Sequence, residues 1–237
     1  MIPKTIHYCW FGKGEMTSLE KKCIASWKKY CPDYQIKLWN EENFPIDYCE
    51  FTKEAYRIGK YAFVSDVARL YAIQKEGGIY FDTDILLIKT IPTNFMNNDL
   101  FIGMESSQSL NAAVIGAVSN NENIIKILDF YKIIREVPGE NITIPKVLNS
   151  IIEFEEIQSL KRKMSWGLLL HKDVFYPLPF KLKKFHWKKF AKKETIGVHL
   201  WIGSWKKKSS KNIVETIKYH LSKIYIPKSF VQFAKNI

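Results

Sequence analysis

The stretch from Ala62 to Ile88, AFVSDVARLYAIQKEGGIYFDTDILLI, constrains the fold more than any other part of the chain. Its apolar residues recur at helical spacing, and Gly77 stands where a left-handed C-cap belongs, so the pattern predicts a helix that ends at this glycine. Residues Ile79 to Ile88 then predict a strand, and their continuous apolar run, ILLI, suits burial on both faces. With an earlier predicted strand, this order favours a nucleotide-binding α/β core.

Two acidic clusters lie on either side of the glycine turn. Asp66 and Arg69 are three residues apart and share one face of the predicted helix. Asp82 and Asp84 are two apart and therefore point the same way from the predicted strand. Two such carboxylates repel each other and lose hydration, and a divalent metal is their usual compensation. The alternatives are a surface ion pair for the first cluster and a solvated turn for the second.

Four motifs, IPKTIHYCWFG, SDVAR, GGIYFDTD and VHLWIGSW, together resemble glycosyltransferase family 32. That family includes bacterial capsule and cell-surface sugar transferases, fungal initiating mannosyltransferases and, more distantly, the large clostridial glucosylating toxins. The similarity extends from Ile2 to about Trp205. It implies a GT-A-type α/β fold, a Rossmann-like mixed sheet flanked by helices with helical additions. It also implies sugar transfer from a nucleotide donor with retention of the anomeric configuration.

The resemblance implies a role for each matching residue. Asp82 and Asp84 match the DxD motif that holds the divalent metal and the donor diphosphate, and His199 would be a third metal ligand. Asp66 and Arg69 match the pair that hydrogen-bonds the donor sugar. The other implied contacts are Trp10 on the base, Tyr80 beside the nucleotide, Asn111 near the sugar, and Ser204 and the catalytic Trp205 over the diphosphate. Lys206 directly follows Trp205, and its charge suits contact with the phosphates.

These residue types suit the chemistry of a sugar nucleotide, whose diphosphate gains negative charge as it leaves. A metal stabilises that charge as a Lewis acid, and nearby carboxylates stabilise the cation-like anomeric carbon. Oxygen ligands suit Mg²⁺ or Mn²⁺, and a histidine ligand favours Mn²⁺. UDP is the expected carrier, with GDP as the alternative. No residue is a candidate for a dedicated covalent nucleophile.

Other readings stay open. Trp10 and His199 would each also suit the core, and Trp201 and Trp205 would suit a helical packing pair. The sequence DTDIL also resembles the first motif of haloacid-dehalogenase phosphatases, although no downstream acidic pair follows it. A non-catalytic polyanion- or membrane-binding protein is a further alternative, but no motif that reads nucleic acid is present.

Charge is unevenly distributed along the chain. Residues 161–237 hold 19 Lys and Arg against three acidic residues, whereas the first 160 residues hold 17 against 21. Within the basic part, Phe180 to Lys193 interleaves seven lysines with aromatic residues, which suits an anionic headgroup interface. We therefore expect docking on the cytoplasmic membrane surface and a saccharide or lipid-linked saccharide acceptor. The alternative is a solvated basic loop.

Length and composition predict one glycosyltransferase domain over residues 1–237. The four cysteines lack zinc-site spacing and are expected to be reduced thiols. Neither a signal peptide nor an apolar run of about 20 residues is apparent, so we expect a cytoplasmic protein, peripheral on the inner face of the plasma membrane. Further predicted elements are helices at Thr17–Tyr30, Asn120–Arg135, Ile144–Phe154 and Ser210–Tyr225, and a strand at Tyr34–Trp39.

Overall fold

The computed structural model describes residues 1–134, 142–182 and 186–202. Its elements are, in chain order, β1 (Thr5–Cys9), α1 (Ser18–Tyr30), β2 (Gln35–Trp39), α2 (Glu50–Arg57), α3 (Tyr61–Glu76), β3 (Gly78–Phe81), β4 (Ile85–Leu87), α4 (Thr93–Met96), β5 (Leu100–Ser106), β6 (Ser109–Ala117), α5 (Glu122–Ile133), α6 (Ile144–Ile151), β7 (Lys161–Met164), β8 (Gly167–Leu170), α7 (Lys172–Phe175) and β9 (Gly197–His199). Short 3₁₀ turns lie at Phe180–Leu182 and Trp187–Lys189.

Seven of the described strands form one mixed sheet in the order β2-β1-β3-β6-β5-β8-β7. Strand β1 runs parallel to β2 and β3, and β5 runs parallel to β8. Strand β6 is antiparallel to β3 and β5, and β7 is antiparallel to β8. The predicted GT-A-type α/β architecture, a mixed sheet flanked by helices, is confirmed.

The strand directions bring several chain segments to one edge of this sheet. Strands β1, β3, β5 and β8 all end there, and the antiparallel β6 begins there. Ligands of open α/β sheets bind in the crevice outside the carboxyl ends of the parallel strands. We call this side the functional edge, because Trp10 follows β1 there, Asp82 follows β3, and Asn111 lies near the start of β6.

Helices cover both faces of the sheet. Side chains of β3 alternate between two apolar clusters, with Tyr80 in one and Ile79 and Phe81 in the other. The Tyr80 cluster includes residues of α2, α3, α5 and α6, and the opposite cluster includes residues of α1, α4 and α7. Burial of these apolar faces is the main favourable contribution to folding.

Helix α3 and its end agree with the sequence prediction. The helix stops at Gly77, whose φ of 65° is the left-handed conformation that glycine adopts at low cost. A Cβ on the following Gly78 would lie 2.7 Å from the carbonyl oxygen of Thr5 on the neighbouring strand. The glycine pair therefore both terminates the helix and admits β3 close to β1.

The prediction of one strand from Ile79 to Ile88 was wrong. The chain turns at Asp82–Asp84, and the following β4 leaves the large sheet to pair antiparallel with β9. Helix α1 stabilises this break, because the indole of Trp27 donates to the Ile85 carbonyl and the Ser26 hydroxyl accepts from the Leu87 amide. The apolar run ILLI is thus buried against α1 rather than within the main sheet.

The other predicted elements fare well where the structure describes them. Helix α1 begins with a Thr17–Glu20 capping box, and α6 carries Pro145 in its first turn. Helix α5 is capped by Asn121, and β2 matches the second predicted strand. The predicted helix at 210–225 lies outside the described residues, and the single-domain division stays a prediction. None of the described helices is long and apolar enough to span a membrane.

Candidate functional site

Three potential metal ligands converge at the functional edge. One ligand atom from each of Asp82, Asp84 and His199 lies within 4.8 Å of the others. The turn after β3 is closed by a hydrogen bond from the Ile85 amide to the Asp82 carbonyl. The β4–β9 pairing then places His199 directly opposite Ile85, beside that turn. The predicted convergence of the two aspartates is therefore produced by a turn and not by strand alternation.

His199 and Asp84 form a buried ion pair. Nε2 of His199 lies 3.1 Å from Oδ1 of Asp84. Burial opposes charge on both groups, but the mutual attraction outweighs it, so the pKa of Asp84 is lowered and that of His199 is raised. The other oxygen of Asp84 accepts from the Ile202 amide at 2.9 Å. Nδ1 of His199 is buried and has no hydrogen-bond partner in the part of the chain that the structure describes.

This geometry fits a six-coordinate divalent cation. Ligands at about 2.1 Å from such an ion and at right angles to each other are about 3 Å apart, close to the His199–Asp84 distance. Two carboxylates and one imidazole suit Mn²⁺ or Mg²⁺, and a divalent cation would offset the two negative charges. The three residues could hold the metal together with oxygens from a ligand.

Arg69 joins the motif on helix α3 to the turn at Asp82–Asp84, which we call the metal turn. Its guanidinium lies 2.8 Å from Oδ1 of Asp66 and 3.2 Å from Oδ1 of Asp82, and it also donates to the Ala112 carbonyl at 3.0 Å. Its side chain is 6% exposed. The interpretation of Asp66 and Arg69 as an ordinary surface pair is therefore excluded, because both side chains are buried beside the metal turn.

Asp66 is kept at an energetic cost. Burial raises its pKa to about 6, although the neighbouring Arg69 favours the charged form. The charge of Asp82 adds to the increase. A buried carboxylate that costs folding energy is typical of a functional position, where perturbed pKa values cluster.

Tyr80 lies beneath the turn. It is 1% exposed, its hydroxyl donates to Oδ1 of Asp82 at 2.9 Å, and the Arg69 guanidinium lies 4.7 Å from its ring centroid. In these positions Tyr80 and Arg69 fix the orientation of Asp82. The predicted place of Tyr80 beside the nucleotide stays a prediction, because its described contacts are with the protein.

Trp10 and Asn111 flank the metal turn along the functional edge. Trp10 is partly exposed, and its indole donates to the Gly14 carbonyl at 2.5 Å, so it is not a core residue. Asn111 donates to Glu105 at 2.5 Å and accepts from the Ala113 amide at 2.7 Å. The base and sugar contacts predicted for these two residues stay predictions. Ser204, Trp205 and Lys206 lie outside the described residues.

Two residues near the site were missed by sequence reasoning. Glu105 is the penultimate residue of β5 and lies beside Asn111, where the β5–β6 register shifts. The Trp201 ring packs against His199, with ring centroids 3.8 Å apart and planes tilted by 35°, whereas the sequence offered a helical packing pair with Trp205 as one alternative. Its place two residues after His199 was the available signal for Trp201, and Glu105 carries none within a recognisable motif.

Comparison with known proteins bears on this site. Residues 17–106 match the family model of the glycosyltransferase sugar-binding region containing the DXD motif. The matched region contains the Asp66–Arg69 pair and the Asp82–Asp84 turn, so the resemblance to family 32 drawn from the motifs is confirmed. His199 and Trp10 lie outside the matched region.

Two curated relatives carry sugar-transferase names. Inositol phosphoceramide mannosyltransferase 3 of Schizosaccharomyces pombe is 23% identical over 139 residues, covering 54% of this chain and 36% of that protein. Lactosylceramide 4-alpha-galactosyltransferase of Mus musculus is 27% identical over 153 residues, covering 58% of this chain and 40% of that protein. The chain thus spans well under half the length of these relatives.

A solved structure is also similar. It is a glycosyltransferase involved in the glycosylation of the major capsid of PBCV-1, with 14% identity and a TM-score of 0.46. The similarity covers 90% of this chain and 98% of that one.

Proposed function

We propose that this chain, whose residues 17–106 match the glycosyltransferase sugar-binding region containing the DXD motif, is a metal-dependent, retaining hexosyltransferase. It takes its sugar from a nucleotide-sugar donor, UDP-sugar first and GDP-sugar as the alternative. The convergence of Asp82, Asp84 and His199 within 4.8 Å at the functional edge carries this proposal. A metal bound there would act as a Lewis acid on the leaving diphosphate.

The protein's own residues divide the work around that position. Tyr80 and Arg69 hold Asp82, and the Ile202 amide holds Asp84, so the two carboxylates are oriented before any ligand arrives. Preorganised polar groups of this kind need little reorganisation during the reaction. Asp66 is 8% exposed, and its carboxylate accepts hydrogen bonds from sugar hydroxyls in the proposed complex. Retention of configuration is supported by the resemblance to family 32.

The donor lies along the functional edge in the proposed complex. Trp10 stacks on the base beyond β1, the diphosphate lies at the turn after β3, and the sugar extends toward Asn111 on β6. The proposal is supported by the order of these strands, because β3 lies between β1 and β6. Stacking on an exposed aromatic ring tolerates different bases, which keeps both uridine and guanosine carriers open.

We further propose a lipid-linked saccharide acceptor and docking on an anionic membrane, on its cytoplasmic face. The names of both curated relatives specify acceptors on ceramide lipids, which supports a lipid-linked acceptor. In the basic segment, Phe180 is 46% exposed and two short 3₁₀ turns present Lys181, Lys188 and Lys189. Co-sedimentation with lipid vesicles tests this docking. We expect the protein to bind vesicles rich in anionic lipid, and the double variant Lys188→Glu, Lys189→Glu to bind them less. Equal binding to zwitterionic vesicles would argue against it.

The phosphatase alternative receives no support from the fold. Its motif belongs on the first strand, whereas Asp82 and Asp84 follow β3. Two of the downstream aspartates are paired with lysines, Asp129 with Lys132 and Asp173 with Lys192. Neither belongs to the cluster of Asp82, Asp84 and His199.

A panel of sugar nucleotides tests the proposed function. Thermal unfolding is recorded with each donor, with and without Mn²⁺, and donor hydrolysis is then measured for each one that stabilises the protein. We expect one donor to raise the unfolding temperature only when Mn²⁺ is present, and Asp84→Ala to abolish both responses. A folded Asp84→Ala variant with near-normal turnover would refute the role of the metal turn.

A further inference from the structure

Trp201 has an unusual backbone conformation immediately after the metal site. Its φ is 54°, in the left-handed region that bulky side chains rarely adopt, at a cost of about 1–3 kcal/mol. On one side the Leu200 amide donates to the Asp84 carbonyl at 3.0 Å, and on the other the Ile202 amide donates to Oδ2 of Asp84 at 2.9 Å. The left-handed turn thus lets two amides of one short segment bind Asp84.

The indole ring of Trp201 is fixed from several sides. Its Nε1 donates to the Leu178 carbonyl at 2.6 Å, and the Phe180 ring packs edge-on with centroids 5.5 Å apart. The centroid of the Tyr176 ring lies 6.3 Å from that of Trp201. Tyr176 also packs edge-on against His199. These contacts hold the indole ring in one orientation. Its centroid lies 3.8 Å from that of the His199 imidazole.

Within residues 1–134, 142–182 and 186–202, the second ring nitrogen of His199 lacks the support that a metal-binding histidine usually has. Such residues nearly always donate their second ring nitrogen to a carboxylate, a carbonyl or water, which fixes the ring plane. Here Nδ1 of His199 is buried, and none of the residues that the structure describes forms a hydrogen bond with it. Packing against the tilted Trp201 ring and the edge of Tyr176 restricts the imidazole instead.

We propose that Trp201 is a positioning residue of the metal site, holding His199 through its ring and Asp84 through its left-handed turn. The inference rests on the proposed function, because it assumes that His199 and Asp84 bind a divalent cation. It assigns Trp201 no contact with substrate. In this role the Trp201 ring restricts His199 by aromatic packing, where a hydrogen bond orients most metal-binding histidines.

The test measures Mn²⁺ affinity of the full chain by electron paramagnetic resonance titration, with no nucleotide present. Trp201→Asn keeps a residue that tolerates the left-handed conformation but removes the ring, and we expect Mn²⁺ binding to weaken about 10- to 100-fold. Trp201→Phe keeps an aromatic ring and should stay within about threefold of wild type. Trp166→Asn is the matched control, because Trp166 is also partly buried and donates to a backbone carbonyl, that of Glu153.

The outcomes separate the inference from the proposed function. If wild type binds Mn²⁺ and folded Trp201→Asn binds it equally well, the positioning role is wrong and the metal site stands. If Trp201→Phe and Trp166→Asn weaken binding as much as Trp201→Asn, general destabilisation is the cause and the inference fails. If wild type binds no Mn²⁺, the metal site and the inference are both refuted. Circular dichroism and thermal unfolding confirm that each variant is folded.

Discussion

Nη1 of Arg69 lies 3.2 Å from Oδ1 of Asp82, which joins the middle of helix α3 to the turn that carries two of the three candidate metal ligands. The same guanidinium also binds Asp66, so one cation compensates two carboxylates. This arrangement makes the site rigid before a donor binds. It also makes the fold depend on Arg69.

Arg69→Lys should destabilise the protein by about 3–5 kcal/mol, because a single ammonium group cannot reach Asp66, Asp82 and the Ala112 carbonyl together. Urea unfolding measures the loss. The matched control is Arg57→Lys, since Arg57 pairs with Glu54 on the surface with its side chain 69% exposed. That change should cost less than about 1 kcal/mol. Equal effects at the two positions would contradict the bridging role of Arg69.

Asp66→Asn should alter how stability depends on pH. The folded-state pKa of Asp66, about 6, lies above its ordinary 3.8, so its protonated form favours folding. That contribution is complete below about pH 4 and is lost as pH rises through 6, on the order of 3 kcal/mol in all. Asparagine cannot ionise. We therefore expect the stability of the variant relative to wild type to rise between pH 4 and 7, and parallel denaturation curves would contradict this.

Trp10→Ala should weaken nucleotide binding by about 1–3 kcal/mol, which is typical for the loss of one base–aromatic stack. Calorimetric titration with UDP and Mn²⁺ measures the change. Trp166→Ala serves as the comparison, because Trp166 lies after β7 and away from the β1 end of the functional edge. An unchanged affinity in Trp10→Ala would remove Trp10 from the donor site.

The four cysteines should be unreactive in the native protein. All are buried and unpaired, and burial raises the pKa of the Cys9 and Cys23 thiols to about 12, so they are neutral at pH 8. The thiolate is the reactive form. We expect no rapid labelling by a thiol reagent at pH 8 and labelling of four groups in denaturant. Rapid native labelling of even one would contradict the described burial.

Local pattern predicted part of the molecule well. The helix from residue 61 to 76 was predictable because its apolar period and its terminal Gly77 act within one segment. The break at Asp82–Asp84 was not predictable, because β4 pairs with β9 and contacts Trp27, and both are distant from it in sequence. A continuous apolar run looks the same whether it remains in one sheet or changes to another.

In the candidate site, the motif residues were predictable from the sequence and the contacts between distant side chains were not. The DxD and SDxxR motifs identified Asp66, Arg69, Asp82 and Asp84, and the structure places all four in one cluster. The role of Tyr80 beneath Asp82 and the packing of Trp201 against His199 depend on side-chain geometry that no single-sequence pattern encodes. The left-handed backbone conformation of Trp201 could not be predicted either, because bulky residues rarely adopt it.

Crystals grown with Mn²⁺ and UDP, measured at the manganese absorption edge, test the central claim most directly. We predict one anomalous peak at about 2.1–2.4 Å from ligand atoms of Asp84 and His199, with Asp82 bound directly or through water and the diphosphate completing the coordination. A nucleotide bound elsewhere, or a peak absent from this cluster with both carboxylates turned toward solvent, would contradict the account.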